Sequence, residues 1–431
     1  MYPLMKVPSR KIRTKAVLQY CLLIPFVLTH NTWFYSLYDM KFRGVIILIS
    51  AVVFMTLERT REIKLLLTFM AIFVITMLYD FWFIEDLNIK IPLYNFLFLI
   101  EPIMITAAAY RYDEENFCDR FIKLVLFLAV VSLFFYVVGL IDADFLIRNH
   151  FLHKVQMKRL TYTDYYCNLF YALRTRELDR NVGMFCEPGL YQILLISAIY
   201  ILVFYPEKSK IRHQYVSMFL LIVTLITTKS ATGMLSLLIV IGGIALSNRR
   251  NFKRTFRRIF WSCVLAVSAI VMIDLTVNGS ASYVYKVLLE KVLNIGSSEP
   301  TTGSVRMLTM KTMTQLIIAN PFGYGFSYVS DYLKAHAEYA VAAEIFVTAG
   351  AIGIMPMCYC LYYFFKKGYY NRKRFIQFAV LILLYFNIAL AQSREFYPAI
   401  LVLFYLKPNP KAKGQGIPYQ KSVPKGVLCE T

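Results

Sequence analysis

Apolar runs of membrane-crossing length recur from one end of this chain to the other, and few folds can hold them. A helix needs about 20 apolar residues to cross hydrocarbon. In that medium every backbone N–H and C=O must find its partner within the structure. Against that length about twelve candidate spans can be counted: 17–38, a short one at 44–57, 65–84, 91–110, 121–141, 190–205, 214–228, 232–247, 259–277, 340–365, 375–392 and 396–406. Composition agrees, with 58% of residues hydrophobic and a mean hydropathy of +0.54, values typical of polytopic membrane proteins. The expected fold is an all-α polytopic membrane protein with about 12 transmembrane helices. It forms a single membrane domain over residues 1–406. The tail 407–431, rich in Pro, Lys and Gly, is expected to be disordered and cytoplasmic.

Charge sets the orientation. A net charge of +21 would point a soluble chain toward nucleic acid. Here the cations gather in alternate loops, around Arg59–Lys64, Arg111–Arg120, Lys208–Arg212, Arg249–Arg258 and Lys366–Arg374. That is the habit of cytoplasmic loops, and no nucleic-acid partner is expected. The short loops of the opposite set carry only Lys41, Arg43, Lys90, Lys229 and Arg394. Both termini are then expected to be cytoplasmic. Two large loops, about 142–189 and 278–339, fall on the extracytoplasmic side. Lys6 to Lys15 precede a first apolar run that is long and lacks a small-residue cleavage site, so no cleavable signal peptide is expected.

The first large loop ends in Arg180-Asn-Val-Gly-Met-Phe-Cys-Glu187-Pro188-Gly189 and runs straight into a span. Pro188 suits the first turn of a helix, which would set Glu187 beside the positive end of the helix dipole. Charges at a bilayer edge cost free energy and usually have a task. The plainer reading is a helix start with a surface ion pair. The same loop carries seven cations, among them Arg148, Lys154 and Arg174, which suit an anionic partner such as phosphate or pyrophosphate. Its tyrosines, Tyr162, Tyr165, Tyr166 and Tyr171, fit a membrane-interface belt better than a sugar platform. His150 and His153 are read as solvated. Cys167 and Cys186 share this loop and could pair there. No cysteine or histidine spacing suggests a zinc site, and no metal or other cofactor is expected.

In the second large loop, apolar residues at helical spacing follow Arg306: Met307, Met310, Met313, Leu316 and Ile317. This is an amphipathic helix, which could lie on the bilayer. Asn320-Pro-Phe-Gly-Tyr-Gly325 breaks it, and His336 and Glu338 follow. Glu344 lies inside the tenth span, ahead of Gly350-Ala-Ile-Gly353. Lys229, in Thr227-Thr-Lys-Ser-Ala-Thr-Gly233, and Arg394 occupy two short outer turns. Each alone reads as a snorkelling anchor. With Arg180 and Arg306 they set four cations on one face.

These motifs, in this order, resemble the bacterial O-antigen and capsule polymerases and the related O-antigen ligases. Those proteins carry an Arg, then Gly-x-Phe-x-Glu-Pro before a span, as in Arg180 to Pro188. They carry a Ser/Thr turn with a basic residue, as around Lys229. They also carry an Arg, an amphipathic stretch and Asn-Pro-Phe-x-Gly-x-Gly, as in Arg306 to Gly325, and then a His before a Gly-x-x-Gly span, as in His336 and Gly350–Gly353. The His spacing is looser here than in the ligases, which favours a polymerase. The resemblance covers residues 180–355. It implies a membrane glycosyltransferase that joins undecaprenyl-pyrophosphate-linked oligosaccharide repeats into O-antigen, capsule or exopolysaccharide. The lipid bilayer, a chain-length regulator and a flippase would be its partners. On that resemblance Arg180 and Arg306 hold the leaving pyrophosphate, with Lys229 and Arg394 as secondary cations. Glu187, or else His336, takes the acceptor proton as the catalytic base. An O-antigen ligase or a lipid-linked oligosaccharide flippase is the alternative, although no internal repeat of the kind many transporters show is visible.

Overall fold

The computed structural model describes residues 10–56, 67, 71, 74–75, 77–78, 80–81, 90–158, 161–168, 170–175, 178–247, 302–336, 344–369, 374–392 and 396–407. Most of them are helical. Helices α1 (Arg10–Leu28) and α2 (Trp33–Thr56) are followed by α3 (Lys90–Tyr112) and α4 (Phe117–Ile141). A short α5 (Ala143–Arg148) leads to three strands, β1 (Leu152–Lys158), β2 (Thr161–Asn168) and β3 (Tyr171–Arg174). Then come α6 (Pro188–Phe204), α7 (Gln214–Thr227) and α8 (Ala231–Leu246). The remainder comprises α9 (Thr302–Ala319), α10 (Phe326–His336), α11 (Glu344–Ile352), α12 (Ile354–Gly368), α13 (Phe375–Ala391) and α14 (Pro398–Leu401), the last followed by a 3-10 turn, Val402–Tyr405. The ninth expected span and the tail beyond Lys407 lie outside the described residues.

Helix α6 is the axis of the fold. Every residue from Leu190 to Phe204 is buried, as expected of a helix that is apolar all round. Others surround it and turn apolar residues outward. Phe127, Val130, Phe134 and Val137 are exposed on α4, and Val45, Leu48 and Val52 on α2. Outward apolar faces of this extent suit a lipid solvent. Pro92–Tyr112 and Phe117–Ile141 are each long and apolar enough to cross a membrane.

Three expectations need correction. The first concerns Lys41 and Arg43, placed above in an outer turn. The chain turns earlier, at Thr29–Thr32, where Asn31 takes φ 57° and the Thr29 and Thr32 hydroxyls donate to the carbonyls of Phe26 and Leu28. Arg43 lies inside α2 and is 1% exposed. Its charge is matched where it sits: Nη1 is 3.7 Å from Glu101 Oε2. The guanidinium also lies over the rings of Tyr35, Tyr94 and Phe98, and Tyr35 donates to Glu101 at 2.6 Å. A cation so partnered needs no loop.

The second correction concerns the first large loop, which holds an antiparallel sheet in the order β1-β2-β3. Leu152 pairs with Cys167, and Cys167 with Ala172. The Tyr- and Thr-rich run of β2 is strand-prone. Tyr165 and Tyr171 are core residues of this cap, 5% and 1% exposed, and Tyr166 stacks on His153 at 4.6 Å. They do not form a belt. No disulfide joins Cys167 to Cys186.

The third concerns the tenth span, which is two helices broken at Gly353 (φ 88°). The helix expected after Arg306 is present as α9. Its buried side is Thr309, Thr312, Met313 and Leu316, while Met307 is exposed. That side carries Met313 against Gly350 of α11.

Candidate functional site

The backbone of the segment Asp179–Glu187 is held from four sides. Asp179 O accepts from the Tyr136 hydroxyl of α4 at 3.0 Å. Gly183 O accepts from Ala172 N of β3 at 2.7 Å, and Met184 O from Trp33 N of α2 at 3.1 Å. Cys186 N donates to Asn31 O at 3.2 Å, and Asn181 N to Thr227 O at the end of α7 at 2.9 Å.

Asn181 is the buried knot of the segment. Its Nδ2 donates to Ser132 Oγ (3.3 Å) and Thr227 Oγ1 (3.1 Å), and its Oδ1 accepts from Gly183 N (3.0 Å). Ser132 in turn shares a hydrogen bond with the Tyr191 hydroxyl at 2.8 Å. The glycine and phenylalanine of the motif both answer to Tyr191. Gly183 has φ 54°, and a Cβ there would meet the Tyr191 ring at 3.0 Å, so only glycine fits. Phe185 stacks on the same ring at 5.1 Å. Pro188 opens α6, and Glu187 is its N-cap residue, through its backbone and with no side-chain cap bond. The expected place of Glu187 at the positive end of a helix is borne out.

The Arg180 guanidinium reaches the same C-terminal end of α7. Nε donates to Thr228 O at 3.3 Å and Nη2 to Lys229 O at 3.2 Å. A cation there complements the negative end of the helix dipole and binds carbonyls that have no partner within the helix. Lys229 itself takes φ 48°, a left-handed conformation that costs a side-chain-bearing residue on the order of 1–2 kcal/mol. Its Nζ bonds Asp179 Oδ2 at 2.6 Å. Ser230 follows as the N-cap of α8, accepting from Gly233 N. Two of the expected cations, from separate motifs, thus meet at the junction of α7 and α8.

Arg306 is on α9, and His336 is the last residue of α10. Their side chains, and the whole of Arg394, lie outside the described residues. The chain between those two helices is clear. Asn320 folds Pro321–Gly323 with its side chain, donating to Gly323 O and accepting from Phe322 N. Tyr324 N donates to Gly350 O, Gly325 N to Ala351 O and Ile354 N to Pro321 O, at 2.9–3.0 Å. A Cβ on Gly323 would fall 2.5 Å from Ala351 O, and one on Gly353 2.5 Å from Phe322 O. The two glycine motifs interlock.

Gly325 faces a residue that the sequence argument passed over. Asp80, alone as a charge in the apolar run 65–84, is fully buried and accepts from Ser327 N and Oγ at the start of α10. A side chain on Gly325 would collide with its carboxylate. The signal was there, since a lone acid in an apolar span is a functional candidate by default. Asn181 gave none beyond its neighbour Arg180. Among the described residues no group of three or more His, Cys, Asp or Glu could hold a metal ion.

A family profile described as O-antigen ligase matches residues 216–355. Over these residues the chain is similar to the O-antigen ligases, which supports its membership of the O-antigen polymerase and ligase family. The match takes in the Lys229 turn, Arg306, His336 and both interlocked glycine motifs, while Arg180–Pro188 lies before it. Neither a curated protein nor a solved structure matches the chain. That likeness supports a membrane-associated, glycosyltransferase-like enzyme of O-antigen-related polysaccharide synthesis.

Proposed function

We propose that the chain polymerises undecaprenyl-pyrophosphate-linked oligosaccharide repeats on the outer face of a bacterial inner membrane, with both termini cytoplasmic. The observation that carries this reading is the convergence of Arg180 and Lys229 at the junction of α7 and α8, on the segment that leads through Glu187 into the buried α6. Two cations at one helix junction suit a pyrophosphate. The acceptor hydroxyl attacks the anomeric carbon of the donor, and the bond to the phosphate oxygen breaks. The pyrophosphate leaves with the electron pair. The leaving group is already good, so the site's task is charge stabilisation and positioning. Arg180 and Arg306 take the developing charge, with Lys229 and Arg394 behind them. Glu187 accepts the acceptor's proton, and His336 is the second choice for that role.

The description of the matching profile favours a second reading, ligation of a finished glycan to a core lipid. A deletion strain separates the two. Single repeats left on the carrier support polymerase, and full-length chains stranded there support ligase. Arg180→Ala and Arg306→Ala should each abolish long chains while the protein still inserts. Wild-type chain lengths from both variants would remove the pyrophosphate assignment.

A further inference from the structure

Gln192 has no business inside a bundle unless something is to bind it. It sits one turn into α6 from Pro188, is 0% exposed, and its amide nitrogen and oxygen both lack a hydrogen-bond partner among the described residues. A buried amide with neither group satisfied costs free energy and calls for an explanation. Its surroundings are polar and small. Gly233, on the first turn of α8, would bring a Cβ within 3.1 Å of Gln192 Cβ. Asn387 of α13 donates to Thr232 O at 3.0 Å and Ser236 Oγ at 2.8 Å on the same helix. Gly189, on the face of α6 that Gln192 shares at i, i+3 spacing, lies against the Gln392 amide, 2.6 Å from a built Cβ. Lys229 precedes the α8 N-cap by one residue, and Arg180 bonds its carbonyl. Polar side chains and two glycines are therefore gathered where α6, α8 and α13 meet, at the end of α8 that Lys229 precedes.

We propose that Gln192 is a specificity residue for the saccharide next to the leaving pyrophosphate. Its amide would pair with a sugar group that both donates and accepts, a hydroxyl or an acetamido group. This rests on the proposed glycosyl-transfer reading. A primary amide offers two donors and an acceptor to such a group and nothing special to a phosphate. Ligand-free, the amide waits, and the protein bears the cost. Rejection of donors that lack the matching group follows, because the amide would then stay unpaired in the complex.

The test uses the full-length protein in nanodiscs with two probes, polyprenyl pyrophosphate without sugar and the same carrier bearing the host's repeat unit. Gln192→Met keeps length and volume, and Gln192→Ala is the second variant should Met perturb insertion. Expected for Gln192→Met is unchanged affinity for the bare carrier and at least about a tenfold loss for the sugar-bearing one, the worth of one or two lost hydrogen bonds. Its thermal midpoint should be equal to or above that of wild type, since an unsatisfied amide has been replaced by an apolar chain. Equal loss on both probes, no loss on either, or a lowered midpoint would each overturn the proposal, the last by showing that the amide is structural. The binding comparison stands without turnover. Wild-type protein that binds both probes but transfers no saccharide would instead defeat the polymerase reading.

Discussion

Asn181→Ala should loosen the segment that carries Arg180 and Glu187 without touching a charge. The side chain is fully buried and makes three hydrogen bonds of 3.0–3.3 Å, to Ser132, Thr227 and Gly183 N. Each is worth about 1 kcal/mol net. Ser132 keeps Tyr191, and Thr227 keeps the Thr224 carbonyl, so the main orphan is Gly183 N–H. The loss should come to about 3 kcal/mol, a fall of roughly 3–6 °C in the thermal midpoint for a large chain. Arg180→Ala, which removes a cation from the helix-end carbonyls of Thr228 and Lys229, should remove more activity than Asn181→Ala. The assay pairs thermal unfolding of detergent-purified protein with the length ladder of the surface glycan. An Asn181→Ala midpoint within about 1 °C of wild type would refute the claim that this side chain ties α4, α7 and the motif together.

Other outcomes follow from the same geometry. Breaking the buried pair of Arg43 and Glu101 from one side, as Arg43→Met or Glu101→Gln, should destabilise by about 3–5 kcal/mol, and the double variant by less than either; a double-mutant cycle on thermal midpoints checks this. Gly325→Ala should be rescued in part by Asp80→Ala, because the new methyl group meets the Asp80 carboxylate, with expression of folded protein as the readout. In the cap, burial and then the neighbouring Cys186 push the Cys167 thiol up to about 12. It stays protonated up to that pH, with a thiolate fraction on the order of one in ten thousand at pH 8. A maleimide at pH 8 should label half-buried Cys186 and spare Cys167, as peptide mapping would show.

Much of this was legible because hydrophobic periodicity survives folding. Six expected spans, at 91–110, 121–141, 190–205, 214–228, 232–247 and 375–392, return as helices with ends within a few residues. The failures share a cause. Charge was used as a marker of loops, and it misleads wherever a charge finds its partner inside. Arg43 marked a turn in the sequence and is a helix-interior residue in the fold, because Glu101 and three rings await it. The same habit made the cationic 142–189 segment a loop and hid its sheet, although the run Thr161–Cys167 is rich in Thr and Tyr. In the site, glycines and cations were visible by type. The residues that position them, Asn181, Tyr191 and Asp80, act through contacts that join distant parts of the chain, and no local pattern records those.

The interlock of the two glycine motifs changes what those glycines are for. Helix α11 has nine residues, roughly 14 Å of rise, which is about half of a hydrocarbon core. Broken backbone at such depth is tolerated only where protein or a cavity satisfies it. Here each motif satisfies the other: Tyr324 and Gly325 give their N–H groups to Gly350 and Ala351, and Pro321 accepts from Ile354. The amides of this glycine turn are spent within the fold and cannot cradle a phosphate. The charge for a pyrophosphate must then come from side chains. The interlock stands between α9 and α10, the helices that carry Arg306 and His336, and pins the turn joining them to α11. A substitution at Gly323 or Gly353 should therefore act on transfer through the placement of those two helices, lowering turnover with every donor alike, whereas a change at Gln192 should discriminate between donors.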